Sequence, residues 1–248
     1  MVKKLTLSEL WALSPNSTDY FSENQLTEVP EEVQRYIKHA ISPDTLIASA
    51  AWLKMHGEIK LKSWLPFVAE QVISWKRGMI WSAKVKMYGM QIKGSDRIIE
   101  GEGMMNWNLF GFIPIVKAHG DDITRSAVGR MSIESIWLPS VYTADSVSWG
   151  VSKKLCLDAD LPVNGSNESL HFCINDTGGL KSVRMFRWGN PGGSEFGYHE
   201  FGAIVEEEAT FGGYTIPSRL RAGWYFDTDK FENDGEFIGI VIDDASYK

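Results

Sequence analysis

Two different periodicities divide this chain. In TEVPEEVQRYIKHAI, Val33, Ile37, Ala40 and Ile41 recur at helical spacing. Pro30 stands near the first helical position, Glu31 and Glu32 fall in the first turn, and Pro43 closes the segment. Residues 1–45 are therefore predicted to be a helical N-terminal segment. From about Leu46 the period becomes two. In AWLKMHGEIKL, Leu53, Met55, Ile59 and Leu61 share one face. In GMIWSAKVKMYGM, Met79, Trp81, Ala83, Val85 and Met87 alternate with Ile80, Ser82, Lys84 and Lys86, the pattern of an antiparallel strand buried on one side. RIIEGEGMMNWNLFGF continues the alternation, with Gly101 and Gly103 suggesting a bend or bulge. After Pro139 the alternation resumes and runs to the end, and NDTGG at 175–179 gives a hairpin signal. The prediction is an α+β fold: a strongly curved antiparallel sheet, a half-barrel of about ten strands, wrapping one central helix. Residues 46–248 form the β part, the helix at 121–138 is inserted into it, and no linker or repeat divides the chain.

The inserted segment, DDITRSAVGRMSIESIWLPS, is apolar nearly all round when placed at helical intervals. Ile123, Ala127, Met131 and Leu138 fill one arc, and Ile133 and Ile136 make the far side partly apolar. Such a helix is usually buried on more than one side, as inside a curved sheet. Asp121 or Asp122 is placed to cap it. Glu134 projects into the middle of the apolar arc, with Arg130 and Trp137 at its edge. An exposed i,i+4 ion pair would contribute only about 0.3–0.5 kcal/mol, and Arg before Glu is the poorer order on a helix. A buried carboxylate needs a partner, and Arg130 is the nearest one. Three roles stay open for the pair: a structural ion pair, a polar feature of a ligand cavity, or a catalytic carboxylate with a raised pKa.

Composition narrows the function classes. The chain has 248 residues, 44% hydrophobic, with ten Trp, twelve Phe and eight Tyr, enough for a large core or an apolar cavity. The net charge of −7 comes without a basic tract, which argues against a nucleic-acid partner. Ser8, Glu9 and Ser14 interrupt the start before it can serve as a signal peptide, and no run of eighteen apolar residues spans a membrane, so a cytoplasmic location is expected. In that compartment Cys156 and Cys173 are expected as free, buried thiols. HGE at 56–58 and HFC at 171–173 put pairs of possible ligands on one strand face, too few for zinc, so no metal site and no cofactor are expected. No nucleophile-elbow motif is present. The run EEE at 206–208 reads as a solvated strand with one glutamate turned inward. Trp81 and Trp107 are candidates to line a cavity or to pack the core.

The stretches WLPFVAEQVISW, GMIWSAKVKM, DRIIEGEGMMNW, NLFGFIPIV and GRMSIESIWLPSVY resemble, in order, an uncharacterised bacterial family, a domain of unknown function; FGGYTIPSRLRAGWYF matches its pattern too. The resemblance covers roughly residues 30–245. Around the helix that family carries Arg, often an aromatic residue, then Glu, Trp and Pro. Arg130, Glu134, Trp137 and Pro139 match, and Met131 stands in the aromatic place. The family's layout is similar to lipoprotein-carrier folds, in which a curved antiparallel sheet wraps helices around an apolar cavity. The resemblance supplies no activity; the aromatic content, the one-faced strands and the buried-looking helix point to a non-enzymatic protein holding an apolar or lipid-like ligand, with Arg130, Glu134, Trp137, Trp81 and Trp107 at the site. The alternatives are an enzyme using Glu134 as acid/base on a small apolar substrate, and a partner-binding module with a filled core. The oligomeric state is open.

Overall fold

The first half of the chain meanders outward from the middle of a sheet, and the second half meanders back. The computed structural model describes residues 5–193 and 195–248; Met1–Lys4, where the signal-like start begins, lie outside it. The outward half contains β1 (Ala50–Lys60), β2 (Trp64–Ser74), β3 (Gly78–Met87), β4 (Met90–Ile99), β5 (Glu102–Leu109) and β6 (Ile113–His119). The returning half contains β7 (Ser148–Lys153), β8 (Cys156–Val163), β9 (Ser166–Ile174), β10 (Leu180–Gly189), β11 (Gly197–Phe211), β12 (Tyr214–Trp224) and β13 (Glu236–Tyr247). β1 pairs with β13 in the centre, so all thirteen strands form one open, curved antiparallel sheet with β6 and β7 at its edges. The expectation of about ten strands is corrected to 13. The difference lies in the turns. Phe110–Gly111, which open a three-residue turn, and Tyr88–Gly89, Glu100–Gly101 and Asn164–Gly165, which are two-residue hairpin turns, each have positive φ at both residues. Only the last has the Asn-Gly signature; the other three begin with residues that give no turn signal, so adjacent strands read as one.

The connection from β6 to β7 crosses from one sheet edge to the other over the concave face. It begins with α3 (Asp121–Ile133), which packs on β4–β6 on one side and on β8–β10 on the other. Two helices precede the sheet. α1 (Leu7–Leu13), closed by a Thr6–Glu9 capping box, lays Leu10 on Val72, Ile80 and Ile99 of the convex face. α2 (Glu31–Ala40) buries Val33, Tyr36, Ile37 and Ala40 in the main core, where Tyr36 meets Tyr142 and Phe172. The N-terminal segment is helical in these short pieces rather than throughout.

The crossing helix departs from expectation at both ends. Gly120 is its N-cap, without a side-chain hydrogen bond, and Asp122 instead accepts from the Trp188 indole at 3.0 Å. The α-helix stops at Ile133, and Glu134–Trp137 continue as a 3₁₀ turn. Pro139 keeps Leu138 out of the helical region, so the last turn tightens before it.

Two contacts in the returning half carry stability predictions. Cys156 and Cys173 face each other across β8 and β9 and form a disulfide, which overturns the expectation of free thiols. Sequence spacing could not show that two strands align them. The bridge closes a loop of 17 residues, worth about 3 kcal/mol on the loop-entropy scale. Dithiothreitol is expected to lower the thermal midpoint of the native chain and to leave a Cys156→Ser/Cys173→Ser variant unchanged. The second contact is the inward glutamate of the EEE run. Glu208 takes the His39 ring at 2.9 Å, whereas Glu206 and Glu207 pair with Arg221 and Arg219. The hydrogen bond to Glu208 raises the His39 pKa above its ordinary value. A raised folded-state pKa stabilises fully below the unfolded value, about 6.5, and this contribution is lost as pH rises through the folded value. Urea titrations of wild type and His39→Gln at several pH values should therefore converge toward alkaline pH.

Candidate functional site

Strand register brings the polar residues of the site into one row. Gln71 of β2 faces Trp81 of β3, and Trp81 faces Asp96 of β4. Asp96 faces Met105 of β5. All four occupy inward positions of the period-two pattern, and α3 crosses above them with Arg130 and Glu134 directed down. The Trp107 indole donates to Asp96 Oδ1 at 2.8 Å. Arg130 Nη1 donates to Asp96 Oδ2 at 2.7 Å and Arg130 Nε to Glu134 Oε1 at 2.7 Å. Gln71 Nε2 donates to Glu134 Oε2 at 2.5 Å. The guanidinium also lies 4.6 Å from the Trp81 ring centre. Gly94 makes room for this arrangement, because a Cβ there would meet the Trp107 ring at 2.2 Å.

Arg130 and Glu134 are only 15% and 13% exposed. Burial works against the charge on Arg130, but the Glu134 and Asp96 carboxylates outweigh it and hold the guanidinium above its ordinary pKa. The pair is thus half of a larger network. With one glutamate oxygen on Arg130 and the other on Gln71, neither is offered to a substrate as a general acid or base would require.

A cavity of about 480 Å³ lies between the sheet and α3, within the usual range for small-molecule sites. Its wall is mostly apolar, including Met79, Val85, Ile92, Ile133 and Leu220. The five residues singled out in the sequence, Trp81, Trp107, Arg130, Glu134 and Trp137, all line it. Trp137 has no free polar end, because its indole donates to the Pro217 carbonyl at 3.0 Å.

Sequence reasoning missed Gln71, Asp96 and Arg187. Each occupies an inward strand position, so a polar residue on an apolar face was the available signal. Arg187, on β10, lines the cavity and is 8% exposed. Gly129 lets α3 lie against its stem, since a Cβ there would stand 2.9 Å from Arg187 Cγ. Its Nε and Nη2 donate to the Ser126 carbonyl at 3.3 and 3.2 Å. Phe201 and Trp224 stack on it at 4.7 and 5.1 Å. Unlike Arg130, it has no carboxylate in ion-pair contact among the described residues. Burial, reinforced by the charge of Arg130, lowers its pKa to about 10, which leaves it cationic at neutral pH.

The other candidates are committed elsewhere. His56 pairs with Asp243 at 2.8 Å on the exposed face. His171 pairs with Asp158 at 2.6 Å beside Cys156 and Cys173, whose sulfurs are spent on each other. Among the described residues no helix is long and apolar enough to cross a membrane.

No curated protein matches the chain. Among solved structures, it is similar to a LolA superfamily protein of Nitrosomonas europaea, at 7% identity and a TM-score of 0.48, over 88% of this chain and 92% of that one. It is also similar to an outer membrane lipoprotein-sorting protein domain of Vibrio parahaemolyticus, at 6% identity and a TM-score of 0.44, over 81% and 86% of the two chains. A family model matches residues 27–247, nearly the whole length, and the chain belongs to that family, the family of unknown function DUF6920.

Proposed function

We propose that the protein binds one lipid-like molecule in the cavity under α3, with an apolar tail against the Met, Ile and Trp wall and an anionic end on Arg187. The observation that carries this reading is a buried guanidinium on a mostly apolar wall, hydrogen-bonded to Ser126 and with no carboxylate in ion-pair contact among the described residues. Asp96 and Glu134 act on Arg187 only at a distance, so burial still costs it, and a ligand carboxylate or phosphate in direct contact would offset that cost with charge-assisted hydrogen bonds. Arg130 is not the anchor, because Asp96 and Glu134 already share it. Nothing in this arrangement asks for chemistry on the ligand. The disulfide supports an oxidising compartment over the cytoplasm as the place of action.

The test is a titration with the fluorescent fatty acid cis-parinaric acid and with its methyl ester. The acid should bind saturably in the micromolar range, about −8 kcal/mol, and about tenfold more tightly than the ester, about 1.4 kcal/mol. Arg187→Met should erase that preference while ester binding remains. Failure of both probes to bind a folded chain would refute the carrier reading. Equal binding of acid and ester to the wild type would refute the anionic anchor alone.

A further inference from the structure

The mouth of the cavity has a surface unlike the rest of the molecule. Register places Phe67, Val85, Ile92 and Leu109 in one row across β2–β5. Just beyond this row the β1–β2, β3–β4 and β5–β6 turns emerge side by side at the same end of the sheet. They touch: the Ser63 and Tyr88 hydroxyls are 3.2 Å apart, and Phe110 N donates to the Gln91 carbonyl at 2.8 Å. These turns carry the exposed apolar residues Leu61, Trp64, Tyr88, Phe110, Phe112 and Ile113, with Tyr88 80% and Phe112 74% exposed. Ile59, Leu61, Ile115 and Val116 continue from this surface into the cavity wall.

The charge there is one-sided. On the turn side of the Glu70–Ser82–Ser95–Asn106–Lys117 row, residues 55–69, 83–94 and 107–116 hold five lysines, Lys60, Lys62, Lys84, Lys86 and Lys93, and one acid, Glu58. The whole chain has a net charge of −7. The β12–β13 connection at the same end is acidic, with Asp227, Asp229, Glu232 and Asp234. Lys60 donates to the Asn233 carbonyl at 3.0 Å, where the two surfaces meet. The lysine-rich surface therefore covers the tips of β2–β6 and ends at β1.

From this juxtaposition of exposed aromatic turns, a lysine-rich cluster and a cavity opening between them, we infer that the β1–β6 turns dock on an anionic lipid bilayer, so that the cavity faces the membrane. Large exposed apolar patches mark interaction surfaces. Aromatic side chains settle at the headgroup level, and lysines add attraction to anionic lipids. The acidic β12–β13 connection would be repelled, which tilts the molecule onto its β2–β6 side. An acidic protein would match the lysines, but it would have no need of a continuous apolar route from the turns into the cavity.

The experiment is co-sedimentation of the full chain with phosphatidylcholine vesicles and with phosphatidylcholine–phosphatidylglycerol vesicles. The mixed vesicles should bind about tenfold more tightly, and the difference should shrink as sodium chloride rises. Lys84→Glu/Lys86→Glu and Phe110→Ser/Phe112→Ser should each weaken binding about tenfold. Phe186→Ser, exposed on β10 away from the turns, should bind as wild type does. The altered side chains are exposed, so the thermal midpoints should stay together. No binding, equal binding to both compositions, or full binding by both double variants would overturn the inference. These results are independent of the cavity: loss of vesicle binding with cis-parinaric acid uptake intact defeats the docking surface alone, and the converse defeats the carrier reading alone.

Discussion

Arg130→Met is expected to destabilise the protein by about 3–5 kcal/mol in urea unfolding, the range for removing one partner of a buried ion pair. The variant leaves Asp96 and Glu134 without a cation in contact, with only the more distant Arg187 charge acting on them. Asp96 keeps only the Trp107 indole as a donor, and Glu134 keeps only Gln71. The methionine retains much of the stem's apolar contact with Trp81, so the loss reads the charge rather than the volume. Glu134→Ala should cost less, about 2 kcal/mol, because Asp96 still neutralises Arg130. Glu134→Gln should cost less again, since it preserves shape and one acceptor. A loss below about 1 kcal/mol for Arg130→Met would mean the network behaves as a solvated surface pair.

The largest effect on binding is expected from Ala127→Trp. Ala127 sits on α3 and lines the cavity, so an indole there occupies the space the ligand needs. Affinity for cis-parinaric acid should fall about a hundredfold, about 2.7 kcal/mol. Stability should change little, because the added ring enters empty volume instead of a filled core. A strongly destabilised variant would show that the space is already tightly packed, which is the filled-core alternative. Unchanged binding in a stable variant would put the ligand elsewhere.

The period-two pattern revealed the sheet because side chains on opposite faces of a strand meet different solvents. It could not reveal how the strands are ordered. The junction of β1 with β13 depends on pairings nearly two hundred residues apart, and the passage of α3 from one arm to the other depends on contacts with strands on both sides of it. The strand count fell short where turns such as Tyr88–Gly89 and Phe110–Gly111 lack Asn or Asp. The site was legible on its helix, where Glu134 interrupted an apolar arc. Its floor was not. Gln71 and Asp96 each stand as a polar residue on an apolar strand face, but only the register that sets both beside Trp81 makes them partners of Arg130 and Glu134. Arg187 could have been noticed as a charge in phase with Val183 and Met185. The disulfide was not legible, because sequence spacing does not show that β8 and β9 align Cys156 with Cys173.

The ten tryptophans allow the ligand to be located directly. In a ¹⁵N-edited NMR titration with oleate, each indole N–H gives its own signal. Trp81, Trp107, Trp137 and Trp224 line the cavity, and their signals should shift progressively and saturate at one oleate per chain. Trp52 and Trp188, whose indoles are bound to Glu70 and Asp122 outside it, should stay in place. Saturable shifts confined to these four are the result predicted for a lipid held under α3. Shifts confined to Trp52 and Trp188, or no shift at any indole with excess oleate, would contradict it.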